Sequence, residues 1–190
     1  MKRFIYDTLL RWKDSLDRKP IVIEGIRQCG KTWILKHFSE AEFQDIAYFN
    51  FEYDDRLQKI FDGDLNASRI IKELGIMRNK SIQPGKTILI LDEIHICHRA
   101  ITSLKYFCES LPELHVAAAG SLLGVTIAQM GKNVSFPVGK VQMLTMYPLN
   151  FREFLLAKDE ELLYDYLNTV STDEEISAAF TGKLEEAYRE

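Results

Sequence analysis

The segment from Gly25 to Thr32 matches the pattern G-x-x-x-x-G-K-[ST] in full. It follows a predicted strand and opens a predicted helix, which is the context that a phosphate-binding loop requires. Gly25 and Gly30 permit backbone angles that turn successive N–H groups inward around an anion. Lys31 is placed to reach the β- and γ-phosphates, and the Thr32 hydroxyl to bind Mg²⁺. The pattern therefore predicts a nucleotide site.

The predicted phosphate-binding set covers the loop and the start of the following helix. Its members are Gly25, Ile26, Arg27, Gln28, Cys29, Gly30, Lys31, Thr32 and Trp33. Arg27 either contacts phosphate or forms a surface ion pair, and the sequence does not choose. Cys29 is interpreted as a small filler residue; the alternative is a thiol activated by the helix N-terminus and sensitive to oxidation.

A second chemical signal is the run Ile88-Leu89-Ile90-Leu91-Asp92-Glu93, in which four apolar residues lead into two carboxylates. Such a run looks like a Walker B motif. Asp92 is predicted to hold Mg²⁺, directly or through water. Glu93 is predicted to point to the other side of the pleat and to polarise the attacking water. The alternative for Glu93 is a solvated carboxylate at a strand end.

Ser121 ends the next predicted strand, after Ala117-Ala118-Ala119-Gly120. Ligands of an open parallel sheet gather at the carboxyl ends of its strands. Ser121 is therefore predicted to sense the γ-phosphate or the attacking water. It could equally be the N-cap of the following helix, and both roles can hold together.

Strands and helices alternate along the chain, which predicts an α/β fold with a parallel sheet. The predicted strands cover residues 21–23, 46–51, 87–91, 115–119 and 140–146. The predicted helices cover residues 3–16, 32–38, 55–61, 66–78, 99–110, 121–130, 149–157, 161–169 and 174–189.

With these elements in place, the chain resembles an AAA-type P-loop ATPase. More narrowly, it resembles a bacterial and archaeal family of stand-alone ATPases that usually carry an uncharacterised C-terminal domain. Beyond the loop, the matching stretches are Arg18 to Pro20, Leu91 to Ile94, Ser103 to Glu109, Ala118 to Gly124, Tyr147 to Leu149 and Phe151 to Leu155. The resemblance implies a three-layer P-loop NTPase fold with strand order 5-1-4-3-2 and additional N- and C-terminal helices.

The resemblance also shapes the expected organisation of residues 1–190. We expect an N-terminal helix over 1–19, a nucleotide-binding core over 20–148 and a helical tail over 149–190. The chain ends inside a predicted helix, before the lid and C-terminal domain that the resemblance implies, so we expect it to be truncated. No lid arginine can be assigned. His95 stands where the family usually has glutamine.

Composition and charge limit the expected partners and the expected cellular location of the protein. The formal net charge is −4, which argues against a general nucleic-acid coat protein, and no strong nucleic-acid signal is present. Three scattered cysteines fit a reducing compartment, and no apolar run is long enough to span a bilayer. The first twenty residues lack the h-region of a signal peptide. We expect a cytoplasmic protein, with a second copy of the chain or another protein as its candidate partner.

Other interpretations are weaker. Asp92-Glu93-Ile94-His95 also spells a helicase motif, although 190 residues cannot hold two motor domains. A zinc site built from His95, Cys97 and His98, with His115 further on, has poor ligand spacing. The side chains considered as arginine fingers acting in trans are Arg78, Arg99 and Arg152.

The sequence thus predicts ATP binding and Mg²⁺-dependent hydrolysis that couples nucleotide state to conformational change. The catalytic candidates are Lys31, Glu93 and Ser121, and the metal candidates are Thr32 and Asp92. The main alternative is a nucleotide-dependent switch with weak hydrolysis, which would signal through a C-terminal domain. A small-molecule kinase is disfavoured because such kinases often lack a glutamate placed like Glu93.

Overall fold

Every pair of neighbouring strands among the described residues is parallel. The computed structural model describes residues 3–121, 123, 136–170 and 178–189. Within these residues the strands are β1 (Ile21–Gly25), β2 (Asp45–Asn50), β3 (Thr87–Asp92), β4 (His115–Ser121) and β5 (Gln142–Thr145). Their spatial order is β2-β3-β4-β1-β5, which confirms the predicted order 5-1-4-3-2.

Helices connect the strands and extend the chain at both ends. They are α1 (Ile5–Lys13), α2 (Lys31–Glu42), α3 (Arg56–Asp62), α4 (Ala67–Met77), α5 (His98–Ser110), α6 (Phe151–Ala157), α7 (Glu161–Thr169) and α8 (Ala178–Arg189). A single 3₁₀ turn, Ile94–Ile96, separates β3 from α5. This is the predicted α/β fold with a parallel sheet between two helical layers.

The central strands are covered on both faces, which explains their nearly continuous apolar sequences. Every residue of β3 and β4 is buried. One face of the sheet forms a core with α3, α4 and α5, through residues such as Phe61, Ile70 and Leu104. The opposite face is covered by α2, whose Ile34, Leu35 and Phe38 are completely buried.

Several element boundaries differ from the prediction. The first helix ends at Lys13 rather than residue 16, because Arg18 donates to the carbonyl oxygens of Lys13 and Ser15 and so ends the last turn. Ser121 is the last residue of β4 and not the first of a helix. The rest of the helix predicted over 121–130 falls outside the described residues, apart from the buried Leu123.

The chain divides into two compact units, residues 7–147 and residues 1–6 with 148–190. The first unit contains the sheet. In the second, Arg3 Nε lies 3.1 Å from Glu153 Oε1, and both side chains are 5% exposed. Glu153 also closes a capping box with Asn150 at the start of α6. Among the helices of the described residues, none combines the length and apolar character needed to cross a bilayer.

Candidate nucleotide-binding site

The loop after β1 is shaped by close backbone approach. A β-carbon at Gly25 would lie 2.2 Å from the carbonyl oxygen of Met146, so no side chain fits there. Met146 N in turn donates to Glu24 O at 2.8 Å, which holds the two segments together. Gly25 is therefore required by packing as well as by the motif.

The first turn of α2 is left free to receive an anion. Its N-cap is Gly30, which has a left-handed φ of 95° and supplies no side-chain hydrogen bond. By contrast, α4 is capped by Asn66, whose side chain accepts from Arg69 N. A helix start without a side-chain acceptor leaves N–H groups and the positive end of the helix dipole available to phosphate. This is the geometry expected of a phosphate-binding loop.

Lys31 lies inside the loop and is only 6% exposed. Its ammonium group donates to Gly25 O at 3.1 Å, to Ile26 O at 2.8 Å and to Ser121 Oγ at 3.1 Å. The sheet register explains the last contact, since Gly25 at the end of β1 pairs with Ser121 at the end of β4. The structure therefore brings together two residues that the sequence had placed separately at the same site.

Asp92 is 1% exposed, and only neutral groups donate to it among the residues that the structure describes. Its Oδ2 accepts from Thr32 Oγ1 at 2.8 Å and from Tyr48 Oη at 2.7 Å. Its Oδ1 accepts from the backbone N–H of Glu93 at 3.0 Å. A buried carboxylate normally has a cationic partner or binds a metal. Asp92 is therefore a candidate ligand for a bound cation.

The donor set around Asp92 fits Mg²⁺. Thr32 and Asp92 present oxygen atoms 2.8 Å apart, and Mg²⁺ prefers oxygen ligands. Within the described ranges, no group of three or more His, Cys, Asp or Glu side chains could hold a metal ion. Mg²⁺ at nucleotide sites needs no such cage, because one or two protein oxygens, water and phosphate complete its shell.

Tyr48 belongs to this site and was missed by the sequence reasoning. Tyr48 on β2 pairs with Ile90 on β3, so Asp92 lies one diagonal step further on the same face of the sheet. Burial raises the pKa of the half-buried Tyr48 well above its ordinary value, and the hydrogen bond to Asp92 raises it further. Tyr48 is therefore a protonated donor at neutral pH. The alternation of β2 places Tyr48 and Asn50 on one face, which was the available signal.

Glu93 does not lie on the pleat of β3, which corrects the sequence expectation. The strand ends at Asp92, and Glu93 has a left-handed φ of 52° at the start of the 3₁₀ turn. Strand alternation therefore does not determine where its side chain points. Glu93 Oε2 lies 3.2 Å from Nδ1 of His95, and both side chains are about one-fifth exposed.

A cleft of about 560 Å³ opens over the loop. It is lined by Arg27, Gln28, Gly30, Lys31, Thr32, Trp33, Glu52, Glu93, His95, Ile96 and Ser121. The predicted residues Gly25, Ile26 and Cys29 lie beside it: the first two bind Lys31 through their carbonyls, and Cys29 is buried beneath the loop. Trp33 is 40% exposed and stacks on His37, with ring centroids 4.8 Å apart.

Other candidate residues lie elsewhere. Arg78 is paired with Asp45 at the amino end of β2, which is the opposite end of the sheet from Asp92. Arg99 donates to the backbone oxygens of Phe61 and Gly63. Arg152 is exposed on α6 and donates to a backbone carbonyl of α7.

His115 is separated from the other members of the zinc hypothesis. It begins β4, whereas His95 follows the carboxyl end of β3. His115 Nε2 lies 3.2 Å from Lys13 O, and its ring packs edge-on against those of Trp12 and Phe43. Burial lowers the pKa of this histidine.

A five-stranded parallel sheet of this order, with a glycine loop between the interior strand β1 and a helix without a side-chain cap, defines the P-loop NTPase class of fold. A protein-family model described as an AAA domain matches residues 17–155, and the chain belongs to this family of AAA-type P-loop ATPase domains.

A solved structure, DnaA from Aquifex aeolicus bound to AMPPCP, shares this fold with a TM-score of 0.51 and 17% identity, over 96% of this chain and 55% of that one. The Aeropyrum pernix ORC1 protein in complex with DNA gives a TM-score of 0.45 and 16% identity, over 83% of this chain and 47% of that one. The chain spans about half the length of these structures. A search of curated protein sequences finds no significant match.

Proposed function

We propose that this AAA domain binds ATP with Mg²⁺ and hydrolyses it. The observation that carries the proposal is the combination of a loop open to phosphate and a buried Asp92 whose donors, within the part of the chain that the structure describes, are all neutral. Phosphoryl transfer needs positioning and charge stabilisation more than covalent chemistry. The residues that line the cleft come from the loop after β1, the start of α2, the turn after β3 and the end of β4, and they are suited to supply both.

The loop and the strand ends have separate roles in this proposal. The free N–H groups of the loop and the first turn of α2 hold the phosphates, and Lys31 places its ammonium group between them and Ser121. Ser121 senses the γ-phosphate through the contact that it already makes with Lys31. Arg27, within the loop, and Trp33, just after it, border the cleft and are the further proposed contacts to the nucleotide.

Thr32 and Asp92 are the proposed metal ligands. Mg²⁺, when bound there with nucleotide, neutralises negative charge on the phosphate oxygens. Glu93 is the proposed base that orients the attacking water. It borders the cleft close to Lys31 and Thr32, and one of its carboxylate oxygens is only 3.2 Å from His95.

The contact between Glu93 and His95 favours a second candidate function, a nucleotide-dependent switch with slow hydrolysis. A carboxylate that keeps one oxygen close to His95 has only its other oxygen available to orient water. Single-turnover rates separate the two functions: an enzyme turns over without a partner, whereas a switch accelerates only when a partner protein or second copy is added. We also propose that the protein acts in the cytoplasm and that its partner is another protein or a second copy of this chain.

Two substitutions test the proposal. Lys31→Ala should abolish nucleotide binding, measured by isothermal titration calorimetry with a non-hydrolysable ATP analogue. Glu93→Gln should retain binding within about threefold and lower turnover by at least about a hundredfold, since it removes the base and keeps the shape.

The matched controls change exposed side chains of the same types, Lys72→Ala on α4 and Glu40→Gln on α2. Both should bind and hydrolyse ATP as the parent does. If the Lys31 and Glu93 variants hydrolyse ATP at the parental rate, the proposal is wrong.

A further inference from the structure

We propose that Tyr48 is a positioning residue that holds the Asp92 carboxylate in its metal-binding orientation and thereby sets the Mg²⁺ requirement of nucleotide binding. This inference rests on the proposed function, because it concerns the metal ligand of the same site. Tyr48 lies on β2, outside both motifs that predicted the site.

Three donors fix the plane of the Asp92 carboxylate. Tyr48 Oη and Thr32 Oγ1 both donate to Oδ2, at 2.7 and 2.8 Å. The backbone N–H of Glu93 donates to Oδ1 at 3.0 Å. Hydrogen bonds to a charged acceptor are stronger than those between neutral groups, so each donor restricts rotation of the carboxylate substantially.

Tyr48 is the donor that a bound metal leaves unchanged. Thr32 is itself a proposed metal ligand, so its hydroxyl oxygen would also coordinate Mg²⁺ when the metal is bound. The Glu93 amide begins a left-handed turn that also carries the proposed base. Tyr48 comes from the neighbouring strand and is held by sheet register, which does not depend on the nucleotide.

The Tyr48 hydroxyl is itself oriented by its surroundings. Asn50 Nδ2 donates to Tyr48 Oη at 3.3 Å, which directs the Tyr48 proton towards Asp92. The ammonium group of Lys36 lies 4.2 Å from the centre of the Tyr48 ring. The group is thus a fixed donor to the carboxylate.

Tyr48→Phe removes this donor and keeps the ring. The measurement is the affinity for a non-hydrolysable ATP analogue, first in EDTA and then over a titration with Mg²⁺. We expect affinity in EDTA to stay within about twofold of the parent. The Mg²⁺ concentration that gives half of the affinity gain should rise about five- to tenfold, the size expected for one charge-assisted hydrogen bond.

Two further variants separate positioning from a general structural effect. Tyr106→Phe removes a phenol hydroxyl from an exposed position on α5 and should leave both affinities unchanged. In an Asp92→Asn background, Tyr48→Phe should cause no further change in the Mg²⁺ response, because it acts through the Asp92 carboxylate. An additional loss in that background would overturn the proposal, as would an affinity loss in EDTA equal to the loss in Mg²⁺.

The same titration distinguishes the two proposals. If the parent shows no nucleotide binding, the proposed function fails and this inference fails with it. If the parent binds and responds to Mg²⁺, and Tyr48→Phe responds at the same concentration, only the role of Tyr48 is overturned.

Discussion

The strand pair β2 and β3 holds an aspartate at each of its ends, and the two are surrounded by different donors. Asp45 begins β2 and pairs in register with Thr87, while Asp92 ends β3 opposite Asn50. Both carboxylates accept several hydrogen bonds. At Asp45 two of the donors are cations, whereas at Asp92 the donors among the described residues are all neutral.

The charge of the Asp45 carboxylate is balanced by cationic side chains of the protein itself. Arg78 Nη2 lies 2.7 and 2.8 Å from the two carboxylate oxygens, Lys80 also binds Oδ1, and Thr87 Oγ1 donates at 3.0 Å. Although burial alone raises the pKa of Asp45, the hydrogen bonds of its partners lower it to about 2. This carboxylate therefore stabilises the fold and needs no ligand.

The difference teaches how to distinguish a structural carboxylate from one kept for a ligand. Each aspartate lies at one end of its strand, and both are largely buried. Asp45 has its countercharge in the chain, and Asp92 has neutral donors that orient it without cancelling its charge.

The largest predicted difference in stability is between substitutions of the two aspartates. Asp45→Asn should lower the free energy of unfolding by about 1–3 kcal/mol, because it leaves the guanidinium of Arg78 without its charged partner. Asp92→Asn in the nucleotide-free protein should cost less than about 1 kcal/mol or stabilise, because it removes a buried charge that no cation balances. Urea denaturation followed by circular dichroism measures both. Equal losses would contradict the comparison.

Within the Asp45 cluster, the two cations should differ. The Arg78 side chain is 15% exposed and contacts both carboxylate oxygens, so Arg78→Met should cost about 1–2 kcal/mol. The Lys80 side chain is 60% exposed, so solvent screens its ion pair and Lys80→Met should cost less than about 0.5 kcal/mol. The same urea experiment compares the stability losses of the two variants. A larger loss in Lys80→Met than in Arg78→Met would show that Lys80 is the main partner of Asp45.

A smaller effect should appear in the pH dependence of stability. The folded pKa of Asp45, about 2, lies below its unfolded value of 3.8, so its contribution is complete above about pH 4 and is lost as the pH falls towards 2. The stability difference between the parent and Asp45→Asn should therefore shrink between pH 5 and pH 3. Asp165→Asn, at an exposed position of α7, serves as the control and should show no such trend.

The sequence predicted most of the fold because the strands are short apolar runs separated by helices, and the order of the sheet followed from the family resemblance. It also named Lys31, Ser121, Thr32 and Asp92 as residues of one site, although it did not predict the contacts among them. These residues end a strand or begin a helix, where the motif itself specifies position. Parallel strands then bring their carboxyl ends to one edge.

The parts that the sequence did not predict depend on register and on backbone angles. Tyr48 reaches Asp92 only because β2 pairs with β3 in a particular register, which no local pattern specifies. Glu93 leaves the pleat through a left-handed residue, which strand alternation cannot anticipate. Arg78 was a candidate for the nucleotide site, but its helix ends beside Asp45 at the opposite end of the sheet.

The central claim is that the uncompensated charge of Asp92 is reserved for a metal bound with nucleotide. The direct test is calorimetry of a non-hydrolysable ATP analogue, with and without Mg²⁺, for the parent and for Asp92→Asn. We expect Mg²⁺ to increase the affinity of the parent by at least about tenfold and to leave that of Asp92→Asn nearly unchanged. An equal gain in both proteins would contradict the claim.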